Sequence, residues 1–360
     1  MKIHQLELSE FRNYETLSVE FDDAVTMLYG DNAQGKTNVL EAIYLCGTTK
    51  SHKGSKDKEM IRLSSEESHI RMQIEKAGIP HRIDMHLRKN KAKGVAVDGV
   101  PIKRSSELMG LLHIVFFSPE DLSMIKNGPG ERRRFIDLEL CQLDSTYLYH
   151  LGNYNRAVNQ RNNLLKQIGF HKELKDTVEV WDMQLVEHGS AVIHTRKRFV
   201  EELNGLLPEI HAKLSGGKEE LFVRYEPNVG TQEFGQKLFM NLERDIVLKA
   251  TGNGPHRDDI SFYVGDKNLK LFGSQGQQRT AALSLKLAEI ELVRRKIKES
   301  PVLLLDDVLS ELDRNRQSYL LESITDLQTI ITCTGLEEFI GDKKQDHRIF
   351  HVVNGVVSES

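Results

Sequence analysis

The segment Gly30-Asp31-Asn32-Ala33-Gln34-Gly35-Lys36-Thr37 constrains this chain more than any other, because it fits the spacing GxxxxGK(S/T) at every fixed position. Such a loop works only between a buried strand and the start of a helix. Its glycines let successive backbone N–H groups turn inward, and the helix N-terminus adds favourable partial charge for an anion. Both flanks are present: Val25-Thr26-Met27-Leu28-Tyr29 reads as a buried strand, and Asn38 to Leu45 reads as a helix. In this setting Lys36 supplies a point charge to the β- and γ-phosphates of a nucleotide, and the Thr37 hydroxyl is a ligand for Mg²⁺. Gly30, Asp31, Asn32, Ala33, Gln34, Gly35, Lys36 and Thr37 are therefore the expected nucleotide-binding residues.

A second strand completes the requirement. Val302-Leu303-Leu304-Leu305 is apolar and ends in Asp306-Asp307. Neighbours on a strand face opposite ways, so the strand must end there for both carboxylates to serve one site. Asp306 then reaches the Mg²⁺ shell, and Asp307 polarises a water in line with the γ-phosphate. Lys36, Asp306 and Asp307 are the expected catalytic residues, and Thr37 and Asp306 the expected metal ligands.

Around these motifs the pattern is that of an α/β protein interrupted by helices. Leu6 and Leu8 alternate with polar neighbours, as do short segments from Ile70 to Val100, and Asp98-Gly99 marks a hairpin turn. Ile114 to Phe117 is another buried strand. From Glu131 to about Leu214 apolar residues recur at three and four, with one break near Gly169. The stripe includes Leu164, Leu165, Ile168, Val186, Val192, Ile193, Val200 and Leu203, and its phase is too irregular for a long coiled coil. Leu221 to Tyr225 is a strand, then a helix near 276–298 and the strand Thr329 to Thr332 return to α/β order. A chain of 360 residues suits two or three domains at roughly 150 residues each. The expected boundaries are a head from 1–120 and 250–360, and an inserted, mainly helical arm at 121–249.

Two further segments make the pattern specific. Asp306-Asp307-Val308-Leu309-Ser310-Glu311-Leu312-Asp313 resembles the Walker B and D-loop of ABC ATPases, and Ser274-Gln275-Gly276-Gln277-Gln278-Arg279 resembles their signature. Ser274 is placed to cap a helix. Phe11-Arg12-Asn13-Tyr14, Thr37 to Ile43, Phe117 to Asp121, Gly130 to Asp137 and Gly254 to Asp259 are similar to the RecF family of bacterial recombination mediators. These blocks run from about residue 11 to 313. The resemblance implies an ABC-type head like that of SMC and Rad50 proteins, built from both chain ends with a helical arm inserted. It adds Arg12, Asn13, Ser274, Gly276, Gln277 and Arg279 to the nucleotide-binding residues, the last four acting across an ATP-dependent homodimer. It also implies binding of double-stranded DNA beside single-strand gaps, work with RecO and RecR to load RecA, and a link to the SOS response. Two departures point to a slow switch: Thr332-Cys333-Thr334 stands where many ABC proteins have a histidine, and Asp307 replaces a usual Glu.

The remaining composition sets limits. A net charge of −4 excludes a uniformly basic nucleic-acid coat, so DNA must meet local patches. The candidates are Lys50 to Lys58, Arg82 with Arg88-Lys89 and Lys91 to Lys93, Arg132-Arg133-Arg134, and Arg196-Lys197-Arg198. No aromatic residues alternate with them, which favours backbone recognition of duplex over base stacking. Cys46, Cys141 and Cys333 form no CxxC pair and fit a reducing cytosol, and no apolar run is long enough to cross a membrane. His256-Arg257-Asp258 lacks the nucleophile of a triad and reads as a hydrogen-bond network between lobes. The competing reading is a nucleotide-gated scaffold that does not touch DNA directly.

Overall fold

The computed structural model of the chain describes every residue except 23, 218 and 336–346. In chain order the strands are β1 (Lys2–Phe11), β2 (Tyr14–Glu20), β3 (Val25–Tyr29), β4 (Glu67–Lys76), β5 (Ile79–Arg88), β6 (Lys91–Val97), β7 (Val100–Pro101), β8 (Ile114–Phe117), β9 (Leu221–Glu226), β10 (Asp259–Val264), β11 (Lys267–Asn268), β12 (Val302–Asp306), β13 (Thr329–Cys333), β14 (His347–Val353) and β15 (Val356–Glu359). Contacts divide the chain into two compact units, Met1–Leu122 with Lys286–Ser360, and Ser123–Leu285.

The first unit holds two six-stranded sheets. One has the order β2-β1-β4-β5-β6-β7, with antiparallel pairing throughout. Its period-two pattern is clearest in β4, where Ser68, Ile70, Met72 and Ile74 are buried while Glu67, His69, Arg71 and Gln73 face out. The Asp98-Gly99 turn forms as expected, both residues having positive φ (53° and 81°).

The other sheet has the order β15-β14-β3-β13-β12-β8 and is parallel from β14 to β8. Its central strands are apolar along their length, as parallel strands covered on both faces must be. The helix Lys36–Thr48 follows β3 and packs on β8, β12 and β13. Gly47 permits the approach, since a Cβ there would lie 2.4 Å from Ile114 Cδ1.

The second unit is built on the helices Pro129–Leu143, Ser145–Ile168 and Val178–Asn204. Asp144 caps the second of these by accepting from the N–H groups of Thr146 and Tyr147. The break expected near Gly169 is real: the helix ends at Ile168, and a 3₁₀ turn at Lys172–Thr177 leads into the next. Tyr154, Ala157, Leu185, Ile193, Phe234 and Leu238 share one core. A three-stranded antiparallel sheet, β11-β10-β9, completes the unit.

The return to the first unit comes at Lys286, not at residue 250. Residues 250–285 belong with the arm because β10 pairs with β9 and packs on the helix Pro129–Leu143. A strand pairing of this kind leaves no trace in local periodicity.

Candidate nucleotide-binding site

The phosphate loop leaves β3 at Gly30 and enters its helix at Lys36. Gly30 and Gly35 have φ of 149° and 120°, values open to glycine, and Ala33 also has positive φ, 65°. Neighbours exclude any Cβ: one on Gly30 would lie 2.3 Å from the Val352 carbonyl oxygen, and one on Gly35 2.6 Å from Asn13 Nδ2. Asn32, Ala33, Gln34, Gly35, Lys36, Thr37 and Asn38 line a pocket of about 260 Å³ together with Lys53 and Asp307.

Inside this loop Lys36 is buried, and its Nζ donates to the carbonyls of Gly30 (2.6 Å) and Asp31 (3.0 Å). The ammonium is thus folded onto its own loop, where an anion entering the pocket meets it. Thr37 Oγ1 donates to Asp306 Oδ1 at 2.8 Å, joining the loop to the end of β12. Thr332 Oγ1 donates to the same oxygen at 2.8 Å and accepts from the Asp307 N–H at 3.0 Å. Burial pushes the Asp306 carboxyl above its ordinary value, against the two hydroxyls that hold the anion. Asp307 has φ of 51°, so the chain turns sharply there and both carboxylates serve one end of the strand. The hydroxyl of Thr37 and the carboxylate of Asp306 are hard oxygen donors side by side, a set that suits Mg²⁺.

Asn13 bonds to the loop itself, and Arg12 to the helix that follows it. Arg12 Nε and Nη2 donate to Glu41 Oε2 and Oε1 at 2.7 and 2.8 Å, and its other bonds go to Ser55 Oγ and the Glu59 carbonyl. Glu41 is fully buried; burial pushes its carboxyl up, but Arg12 and then Ser51 hold it below its ordinary value. Asn13 Nδ2 donates to the Gln34 carbonyl and Asn13 Oδ1 accepts from Asn38, both at 2.8 Å.

Sequence reasoning missed three members of this site. Lys53 belongs to a basic run read as a DNA patch, yet it lines the nucleotide pocket. Thr332 looked like the mere absence of a histidine. The β14–β15 turn, Asn354-Gly355, sends the N–H of Asn354 to Gln34 Oε1 (2.6 Å) and that of Gly355 to the Gln34 carbonyl (3.1 Å). An Asn-Gly pair between apolar residues signals such a hairpin, though not what its turn touches.

In the second unit, Ser274 caps the helix Gln275–Ile297 reciprocally. Its Oγ accepts from the Gln277 N–H (3.2 Å), and Gln277 Oε1 accepts from the Ser274 N–H (2.9 Å), forming a capping box. Gln277 Nε2 also donates to Glu219. Ser274 is exposed, while Gly276, Gln277 and Arg279 are half-buried at the same helix start.

The basic clusters divide. Arg132 is buried and bonds both nitrogens of its fork to Asp259, at 2.7 and 2.9 Å. Arg196 is buried between Asp137 and Asp258. These two arginines hold the second unit together and offer nothing to DNA. Lys50, Lys53, Lys56, Lys58, Arg134 and Lys197 are exposed. The expected network at His256-Arg257-Asp258 exists, but its partners lie within one unit rather than between lobes. His256 Nδ1 meets Tyr154 Oη at 2.6 Å, and Asp258 accepts from Arg196, Tyr225 and the Asn228 N–H.

Residues 2–358 match the RecF/RecN/SMC N terminal domain family. The chain is 62% identical over 359 residues to a "DNA replication and repair protein RecF" from Lachnoclostridium phytofermentans, covering all of both chains. It belongs to the RecF family. A RecF from Agathobacter rectalis is 59% identical, with 99% of each chain covered. A solved structure of the recombination mediator protein RecF-ATP in the RecFOR pathway superposes with a TM-score of 0.93 at 33% identity, covering 99% of this chain and 97% of that one. An SMC head bound to the C-terminal winged-helix domain of ScpA gives 0.58 at 18% identity, with 100% and 97% covered, which shows a shared head fold. Among the described residues no helix is long and apolar enough to cross a membrane.

Proposed function

We propose that this RecF-family chain is an ATP-operated switch that dimerises on double-stranded DNA beside single-strand gaps during recombinational repair and replication restart. The observation that carries the reading is the Thr37–Asp306 contact next to Lys36, which brings the phosphate loop and the acidic strand end into one pocket. Gly30 to Thr37 wrap the phosphates, and Lys36 exchanges its own carbonyl partners for phosphate oxygens. Thr37 and Asp306 would hold Mg²⁺, which when bound neutralises phosphate charge. Asp307 orients the attacking water, and its short side chain fits slow turnover. Arg12 and Asn13, beside the loop and the helix that follows it, complete the nucleotide-binding set.

Dimerisation follows from the capped helix start at Ser274. Its first-turn N–H groups and the partial positive charge of the helix end suit a γ-phosphate presented by a second copy of the chain, with Gly276, Gln277 and Arg279 alongside. The exposed Lys50, Lys56, Lys58, Arg134 and Lys197 meet DNA phosphates. RecO and RecR are the expected partners, loading RecA the expected outcome, and the cytoplasm the expected compartment.

The test is light scattering coupled to size exclusion, with no nucleotide, with ATP, and with ATP and duplex DNA. The reading expects an ATP-dependent dimer that binds duplex more tightly than the monomer does, with log affinity falling linearly with log salt. An ATP-dependent dimer with no DNA affinity would leave the scaffold reading in its place. A monomer in all three conditions would remove both.

A further inference from the structure

The outer face of the antiparallel sheet carries a cluster that nucleotide chemistry does not use. Glu67 and His69 are two residues apart on β4 and so share one face. His86 on β5 pairs directly with His69 in the register, which brings the two imidazoles together at a centroid distance of 4.1 Å. His86 Nε2 lies 2.6 Å from Glu67 Oε2. One donor atom from each of the three residues lies within 4.8 Å of the others.

The surroundings leave room for an ion and for what accompanies it. His86 pairs on its other side with Gly94, whose missing side chain clears the face; a Cβ there would have His86 Cβ as its nearest neighbour at 3.8 Å. His69, His86 and Gly94 line a hollow of about 520 Å³. Of the arginines on this face, Arg88, the cross-strand partner of Glu67, donates Nη2 to the Ala92 carbonyl at 2.9 Å, and Arg71 is held by Asp84 at 2.8 Å and Glu7 at 3.5 Å.

We propose that Glu67, His69 and His86 form a binding site for a divalent transition-metal ion of the Zn²⁺ type, separate from the nucleotide pocket. Two imidazoles and one carboxylate are the donor set of open zinc sites, which keep a fourth position for water. Paired imidazoles disfavour Mg²⁺, which prefers oxygen, so the ATP-associated cation does not compete here. The ion replaces the hydrogen held between His86 Nε2 and Glu67 Oε2, and any displaced proton leaves to solvent. Bound, it ties β4 to β5 in the middle of the sheet.

The experiment uses the full chain without a polyhistidine tag, titrated with ZnSO₄ against a chromophoric chelator in excess Mg²⁺, and separately with Co²⁺ to read ligand-field bands. The parent should bind one equivalent per chain and unfold at a higher temperature with Zn²⁺ present. His69→Ala and His86→Ala should each weaken binding by at least the ~10–100-fold that losing an outer-shell partner costs elsewhere, and Glu67→Gln should weaken it less. Circular dichroism checks that the variants fold, and His69→Gln and His86→Gln replace any that do not. His188→Ala is the control, because His188 forms another close imidazole contact, 3.0 Å from His150. Three results would overturn the proposal: no Zn²⁺ binding by the parent, equal binding by the His69→Ala/His86→Ala double variant, or a loss in His188→Ala as large as in His69→Ala.

Discussion

Arg12→Met tests how the phosphate loop is held. In the parent, the guanidinium satisfies both oxygens of Glu41, a carboxylate with 0% exposure on the helix that follows the loop. The substitution leaves that carboxylate with the Ser51 hydroxyl. Stranding one partner of a buried ion pair costs about 3–5 kcal/mol. The Arg12 side chain is itself 21% exposed, so water reaches the gap and the lower end, about 3 kcal/mol, is expected. At about 1.4 kcal/mol per tenfold, amide exchange in the helix Lys36–Thr48 should accelerate roughly 100-fold. The sign of the pH dependence follows from Glu41. Its folded pKa is lowered from 4.5, so its contribution is full above that value and is lost as pH falls through the lower folded one. In Arg12→Met burial is no longer opposed by the fork, and Glu41 favours its neutral form. The exchange ratio between variant and parent should therefore be largest near neutrality and shrink in acid. Arg12→Met/Glu41→Met, which removes both charges, should recover most of the loss. A ratio near one at neutral pH, or one that grows in acid, would refute the reasoning.

Lys36→Ala removes a charge-assisted phosphate contact worth about 1.5–3 kcal/mol, so the affinity for a fluorescent ATP analogue should fall about 10- to 100-fold without a change in circular dichroism; an unchanged affinity contradicts the pocket assignment. Ser274→Arg should bind ATP as the parent does yet remain monomeric, whereas Asp307→Asn should retain ATP and dissociate more slowly after dilution. The pair is read by light scattering, and reversal of either outcome removes the switch. Gly355→Ala forces a side chain onto φ of 76° and to 2.7 Å from the Asn13 carbonyl oxygen. It should cost about 1–3 kcal/mol and lower the melting temperature, and an unchanged melting temperature would show that the C-terminal turn does not brace the loop.

The parts of this molecule that sequence reveals are those where one segment carries its own chemistry. Gly30 to Thr37 states its backbone through its glycines, and Val302 to Asp307 states a buried strand and its polar end within a few residues. The helices of the arm announce themselves by period. What stays hidden depends on partners far along the chain. Nothing near Arg132 or Arg196 says that each is buried against aspartates more than fifty positions away, so a solvated basic run and a core ion pair read alike. The placement of 250–285 with the arm rests on Asp259 to Val264 finding Leu221 to Glu226. Lys53 reads as one lysine among several until the loop carrying it is seen at the pocket.

The position of β3 has a consequence for how the chain comes into being. Both hydrogen-bonding partners of this strand are encoded near the far end: Val25 pairs with Thr329 on one side and His347 on the other. At ~5–20 residues per second of synthesis, Val25 waits on the order of 15–60 seconds for its neighbours. The antiparallel strands β1, β2, β4 and β5 all end by Arg88 and can pair during that interval. The phosphate loop, with no sheet beneath its strand and no Asn354-Gly355 turn against Gln34, cannot. Nucleotide binding is therefore among the last properties this protein acquires, and a ribosome that stalls before β13 releases a chain carrying an intact GxxxxGK(S/T) motif that has no competent site.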